Sequence, residues 1–149
     1  MKTSKLLFQF DSKEEADLVM LLMIVKAKIE LNCIFLLEGE MASGKTTFAR
    51  HFCESFGLTT TQSPTYAIHQ RYENNVVRID HLDLYRLENE EQIETAGLWD
   101  LLSQKNNLVL IEWSEKLKGD WFPLDRRVFK LNLKHLAVDH YHYDFFELS

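Results

Sequence analysis

The chain has 149 residues, 46% of them apolar or aromatic, and its 17 basic and 23 acidic groups give a net charge of −6. A chain of this length suits one globular domain that buries roughly 70% of the surface its unfolded form exposes, with no need of a disulfide or structural metal. It has five Gly and two Pro, against about ten and about seven at average usage; this excludes a linker, a collagen-like repeat or a Pro/Gly-rich disordered tract, and the acidic balance argues against autonomous nucleic-acid binding.

Residues 5–10 read as a strand. Asp11-Ser12 reads as an N-cap, with Glu14 and Glu15 favouring the first turn of a helix that runs to about Glu30. From Leu18 to Val25 that helix is apolar almost all round, which predicts burial on more than one side. The run is far shorter than the ~18 residues of a bilayer span, and the N-terminal residues carry no adequate signal-peptide core. Cys33-Ile34-Phe35-Leu36-Leu37 is a continuous apolar run, as expected of a strand covered on both faces. A helix follows from Lys45 to about Phe56, with Gly57 as its C-terminal cap. After the polar loop 59–65, two strands near 66–73 and 76–82 flank an Asn74-Asn75 turn. Residues 83–100 hold one basic and six acidic groups, nearly the whole net charge, and a helical region runs over about 87–104. This segment reads as a solvated helix face, with a docking surface for a basic partner as the sharper alternative. Leu108-Val109-Leu110-Ile111 is a second buried strand, and 127–134 with 137–147 alternate as a late strand pair. The order implies an α/β fold with a mainly parallel sheet. Cys33 and Cys53 form no CxxC pair and read as reduced, buried residues of a cytoplasmic protein.

Gly39-Glu40-Met41-Ala42-Ser43-Gly44-Lys45-Thr46 matches the phosphate-binding pattern GxxxxGK[ST], with a buried strand leading in and a helix leading out. Glycine admits backbone angles and close approaches that a Cβ blocks. The amides from Met41 to Thr46 form an anion nest at the positive end of the helix. In this pattern Lys45 reaches the β- and γ-phosphates, and the Thr46 hydroxyl ligates magnesium. A phosphate loop also needs an acid on a neighbouring strand, and Glu112 stands at the C-terminal end of the second buried strand. Trp113 beside it is either core or a residue that gates or reports on the site. Ser63-Pro64-Thr65 is either a switch-type loop or a plain turn. His81, Asp83 and Tyr85 fall on one face of an extended segment. Asp83 orders water or the magnesium shell, or else pairs with Arg86 or caps a helix. His140 and His142 alternate on a strand and read as a polar face rather than a metal pair.

Four motifs in order, Gly39 to Thr47, Ser63-Pro64-Thr65-Tyr66, His81 to Leu87, and Ile111-Glu112-Trp113-Ser114-Glu115-Lys116, resemble the TsaE (YjeE) family over about residues 10–125. The resemblance implies one P-loop ATPase domain over 1–149: a P-loop NTPase-like three-layer sandwich with helices on both faces of the sheet and late antiparallel strands. It implies ATP and Mg2+ as cofactors, and docking on a TsaB–TsaD heterodimer that threonylcarbamoylates the tRNA adenosine 3′ of the anticodon. tRNA is then met only through those partners, with no membrane involved, and hydrolysis resets the complex between turnovers. Carried onto this chain, the pattern assigns Lys45, Asp83 and Glu112 to catalysis and Thr46, Asp83 and Glu112 to magnesium. It assigns Ser12, Glu40, Met41, Ala42, Ser43, Gly44, Lys45, Thr46, Thr47, Thr65 and Trp113 to the nucleotide. The family loop reads Gly-Asp-Leu-Gly-Ala-Gly-Lys-Thr; here Ala42 replaces the middle glycine and Glu40 the aspartate, and the tail 135–149 lacks an arginine often found there. A small-molecule P-loop kinase and a nucleotide-dependent interaction module are the alternative readings. Arg126-Arg127, the only adjacent arginine pair, reads as the start of a late strand rather than a kinase lid.

Overall fold

Two runs apolar at every position set the centre of the molecule, because such a strand is stable only between two covering layers. In the computed structural model, which describes residues 3–60, 68–117 and 122–149, these runs are β2 (Ile34–Glu38) and β5 (Leu108–Glu112), paired in parallel. Around them stand β1 (Ser4–Ser12), β3 (His69–Glu73), β4 (Arg78–Asp83), β6 (Val128–Ala137) and β7 (His140–Leu148). The seven-stranded sheet has the order β1-β7-β6-β2-β5-β4-β3. Strands β6, β2, β5 and β4 are mutually parallel, and the β1–β7, β6–β7 and β3–β4 pairs are antiparallel. The mainly parallel α/β sheet with a late antiparallel pair is thus as the sequence predicts.

Strand alternation sends Phe35, Leu37, Leu108, Leu110, Phe129 and Leu131 to one face, where α1 (Glu15–Lys28) and α2 (Lys45–Glu54) cover them. Ile34, Leu36, Leu82, Val109 and Ile111 face the other side, under α3 (Glu90–Thr95) and α4 (Leu98–Ser103). Gly97, at φ 83°, breaks the expected single helical region of 87–104 into these two pieces.

Two expectations for the first helix are corrected. Ser12 is the last residue of β1, and the helix is capped from Glu14, where the Asp17 carboxylate accepts the Lys13 and Glu14 amides. An acid three residues into the helix satisfied the free N–H groups, so Asp11-Ser12 stayed in the sheet. The helix is also covered on one side only: Leu21, Leu22 and Val25 are buried, while Val19, Met20 and Met23 are 57%, 55% and 69% exposed. No helix among the described residues is long and apolar enough to cross a membrane.

The pole of the sheet where β2, β5 and β6 begin is tied by one cation. The Arg126 guanidinium donates to the carbonyls of Asn32, Cys33, Leu101, Leu102, Gln104 and Asn107. Its neighbour Arg127 pairs with Glu30 and Glu147. Asp80, fully buried, accepts from His69, Arg71 and Asn107; these bonds outweigh the upward push of burial and hold its carboxyl well below the usual range. Cys33 and Cys53 are free and buried, and burial pushes both thiols up to about 12.

At the other edge, β1 is clasped to β7. Asp11 sits 3.1 Å from both His140 Nε2 and His142 Nδ1, and His142 Nε2 lies 3.0 Å from Asp144. Bonds to Asp11 and Asp144 raise the His142 pKa despite some burial, so folding favours its charged form. A raised histidine stabilises fully below its ordinary value of 6.5, and that contribution is lost as pH rises through the folded value. Urea unfolding of wild type and His142→Gln should therefore differ most below pH 6.5 and converge as pH rises past the raised folded value, by a small amount for so exposed a cluster. A pH-independent difference would contradict the clasp's charge.

Candidate functional site

The site lies at the C-terminal ends of the parallel strands, where α/β sheets place ligands. β2 ends at Glu38, the loop 39–44 turns the chain, and α2 opens at Lys45. At Gly39 an added Cβ would stand 2.5 Å from the Leu133 carbonyl of β6, so only glycine permits this packing. Gly44 takes φ 96° as the residue before α2.

Lys45 is nearly fully buried. Its Nζ donates to the carbonyls of Gly39 (2.5 Å) and Glu40 (2.8 Å) and lies 4.0 Å from the Trp113 ring centroid. Burial lowers its pKa, opposed by the fields of Glu115, Glu112 and Asp83. Glu112, 1% exposed, uses both carboxylate oxygens: Oε1 accepts the Thr46 hydroxyl at 2.8 Å, and Oε2 is 2.6 Å from His81 Nε2. Asp83 pairs in register with Glu112 across β4 and β5 and accepts the Tyr85 amide; burial raises its pKa, as does the charge of Glu112. A cavity of about 270 Å³ is bounded by Met41, Ala42, Ser43, Gly44, Lys45, Thr46, Thr47, Asp83, Tyr85 and Trp113.

Two further cavities open from this cradle. One, of about 500 Å³, shares Gly44 and Thr47 and is lined by Ser12, Leu18, Phe48, Tyr141 and Tyr143. The other, about 760 Å³, shares Met41, Ala42, Ser43 and Trp113 and reaches Glu40, Glu115 and Lys134.

A family model described as "Threonylcarbamoyl adenosine biosynthesis protein TsaE" matches residues 12–142. The chain belongs to the TsaE family. It is 40% identical over 115 residues to the tRNA threonylcarbamoyladenosine biosynthesis protein TsaE of Rickettsia bellii, covering 76% of each chain. It is 39% identical over 99 residues to the protein of that name from Rickettsia felis, covering 64% of this chain and 56% of the relative. The chain thus spans just over half the length of that relative. The crystal structure of Bacillus subtilis YdiB matches all of this chain and 88% of its own with TM-score 0.73 at 21% identity, a likeness of fold.

Ala42 takes φ 63°, a left-handed conformation that strains a residue with a Cβ. Trp113, at φ 61°, is a second such residue; its amide bonds the Leu37 carbonyl and its ring lies 5.0 Å from that of Tyr85, tilted by 43°. The Lys45 ammonium on one face and Tyr85 beside it place Trp113 at the mouth of the cradle.

Of the residues named from sequence, Met41 to Thr47, Asp83 and Trp113 line one cradle, and Glu112 stands behind Thr46. Ser12 and Glu40 line the two adjoining cavities. Thr65, with the Ser63-Pro64-Thr65 loop, lies outside the described residues. The shared face of His81, Asp83 and Tyr85 is corrected, because β4 ends at Asp83 and the chain turns there. His81, to which the sequence pattern assigns no role, holds the second oxygen of Glu112. The usable signal was parity: two places before Asp83, in register with Leu110, it points to the same face as Glu112.

Ala42→Gly should relieve the left-handed strain and raise stability by about 0.5–1 kcal/mol, less what glycine adds to the entropy of the unfolded chain. The urea midpoint measures this, and a drop would show that the loop holds Ala42 without strain.

Proposed function

We propose that this chain is a magnesium-dependent ATPase, one P-loop domain, of tRNA threonylcarbamoyladenosine biosynthesis. The observation that carries this reading is the convergence of a left-handed glycine-type loop, the Lys45 ammonium and the Thr46–Glu112 pair on one cavity. The donor set fits magnesium, a hard cation that takes hydroxyl and carboxylate oxygen: Thr46 and Glu112 supply such atoms 2.8 Å apart, with Asp83 beside them. When bound, the metal would neutralise phosphate charge.

The chain's own groups divide the remaining work. Lys45 exchanges its contacts with the Gly39 and Glu40 carbonyls for phosphate oxygens, and the loop amides receive the rest of the anion. His81 holds Glu112 so that its other oxygen faces Thr46. Asp83, its carboxyl raised by burial, sits where it can accept a hydrogen bond from the hydrolytic water. Trp113 and Tyr85 close the mouth, and the base occupies the cavity between Ser12 and Tyr141. On the family's pattern the chain acts on a TsaB–TsaD heterodimer and resets it, meeting tRNA only through that complex. A kinase lid finds no support in Arg126 and Arg127, which bond backbone carbonyls and surface acids away from the loop.

Lys45→Ala should weaken ATP binding about 10- to 100-fold in calorimetry, the worth of a charge-assisted contact. Glu112→Gln should bind ATP equally with and without magnesium and lose hydrolysis. Retained binding in the first variant would remove the phosphate-loop assignment; retained magnesium-dependent turnover in the second would remove Glu112 from the metal. Hydrolysis should rise strongly on adding TsaB–TsaD, whereas a kinase would respond to a small acceptor instead.

A further inference from the structure

Helix α1 carries an apolar stripe that its own fold does not cover. Ala16, Val19, Met20, Met23 and Ala27 recur at helical spacing on the outward side, opposite the buried Leu21, Leu22 and Val25. All five are exposed, and Val19, Met20 and Met23 each keep more than half their surface. A contiguous apolar patch of this kind on a soluble chain marks an interaction surface.

The pattern of the stripe identifies the occupant. Its spacing, four then three then four residues from Ala16 to Ala27, is that of a coiled-coil seam. Read against an antiparallel copy of itself, it pairs Ala16 with Ala27 and Met20 with Met23, so each small end meets a small end and the long methionines fill the middle. Charge follows the same symmetry. The first turn is acidic, with Glu15 and Asp17, and the last is basic, with Lys26 and Lys28. Head-to-tail packing sets Asp17, one of whose oxygens caps its own helix, toward Lys28 of the second copy on one flank; on the other it sets Glu15 toward Lys26, whose ammonium also donates to the Ser55 carbonyl at 2.8 Å and lies over the Phe56 ring, and each pair occurs twice about the axis. A parallel arrangement would instead face acid with acid and base with base. The opposed helix dipoles favour the same choice.

We propose that α1 is the interface of an isologous homodimer, two copies of this chain packing antiparallel through Ala16, Met20, Met23 and Ala27. The interface is one 14-residue helix per copy, about 21 Å long, so it suits a reversible dimer rather than an obligate one. It uses none of the residues that line the phosphate cradle.

Sedimentation equilibrium of the full chain without nucleotide tests this. Wild type should shift from monomer to dimer over a micromolar concentration range. Met20→Asp and Met23→Asp, both at exposed positions, should be monomeric throughout with unchanged circular dichroism. Lys28→Glu should weaken association about tenfold at low salt, since it sets two acids against each other on both ends. Orientation is read by cysteine cross-linking: an equimolar mixture of Ala16→Cys and Ala27→Cys should form a disulfide dimer, while neither variant should do so alone, because like positions lie about 16 Å apart along antiparallel axes. A wild type monomeric at every concentration, or a dimer indifferent to Met20→Asp, would overturn the proposal. So would cross-linking of Ala16→Cys with itself, or a stripe that binds a different protein while the chain alone stays monomeric.

Discussion

A carboxylate removed from water is tolerated only when its oxygens are bonded, and the candidate site is arranged around one such group. Glu112 lies at the end of the central strand β5 with Thr46 on one oxygen and His81 on the other. Those two bonds join the start of α2 to β5 and β4, the three elements that must agree in position for the loop to form a cradle. Removing either partner would leave a buried charge half satisfied, so the same contacts that prepare the chemistry also hold the elements together.

Around that fixed carboxylate the loop is tense. Ala42 and Trp113 both take left-handed backbone angles that favour glycine, and Lys45 spends its charge on carbonyls of its own loop. Strain of this sort persists only where surrounding contacts over-determine it. Here those contacts are identifiable: the Gly39 backbone pressed against β6, the Trp113 amide bonded to Leu37, and the Tyr85 ring against the indole. The cradle is therefore shaped in advance, and a ligand that offers Lys45 better partners than two neutral carbonyls gains from a site already folded to receive it.

The centre of the fold was legible because two apolar runs can only be strands between layers, and the loop because glycine, lysine and threonine at that spacing have one economical use. What escaped were features that depend on neighbours distant in sequence. The acidic stretch read as one helix because Gly97 carries no sign of its φ until the chain turns there. Asp11 and Ser12 read as a cap, since local rules do not see His142 across the sheet. His81 looked like one polar residue among several, and only strand register shows it facing Glu112. The first helix is the clearest case: hydrophobicity almost all round predicts burial on more than one side, yet the sheet covers only one.

Arg126 stands at the opposite pole of the sheet from the loop. From its place just before β6, its guanidinium gathers six carbonyls from the starts of β2 and β5 and the end of α4. The knot that keeps the sheet together is thereby placed a full strand length from the chemistry. Loss of the knot would act on how much of the chain stays folded, through contacts that touch none of the groups lining the cradle. Such a separation makes the left-handed backbone of Ala42 a local cost, borne by a loop remote from the contacts that tie the sheet.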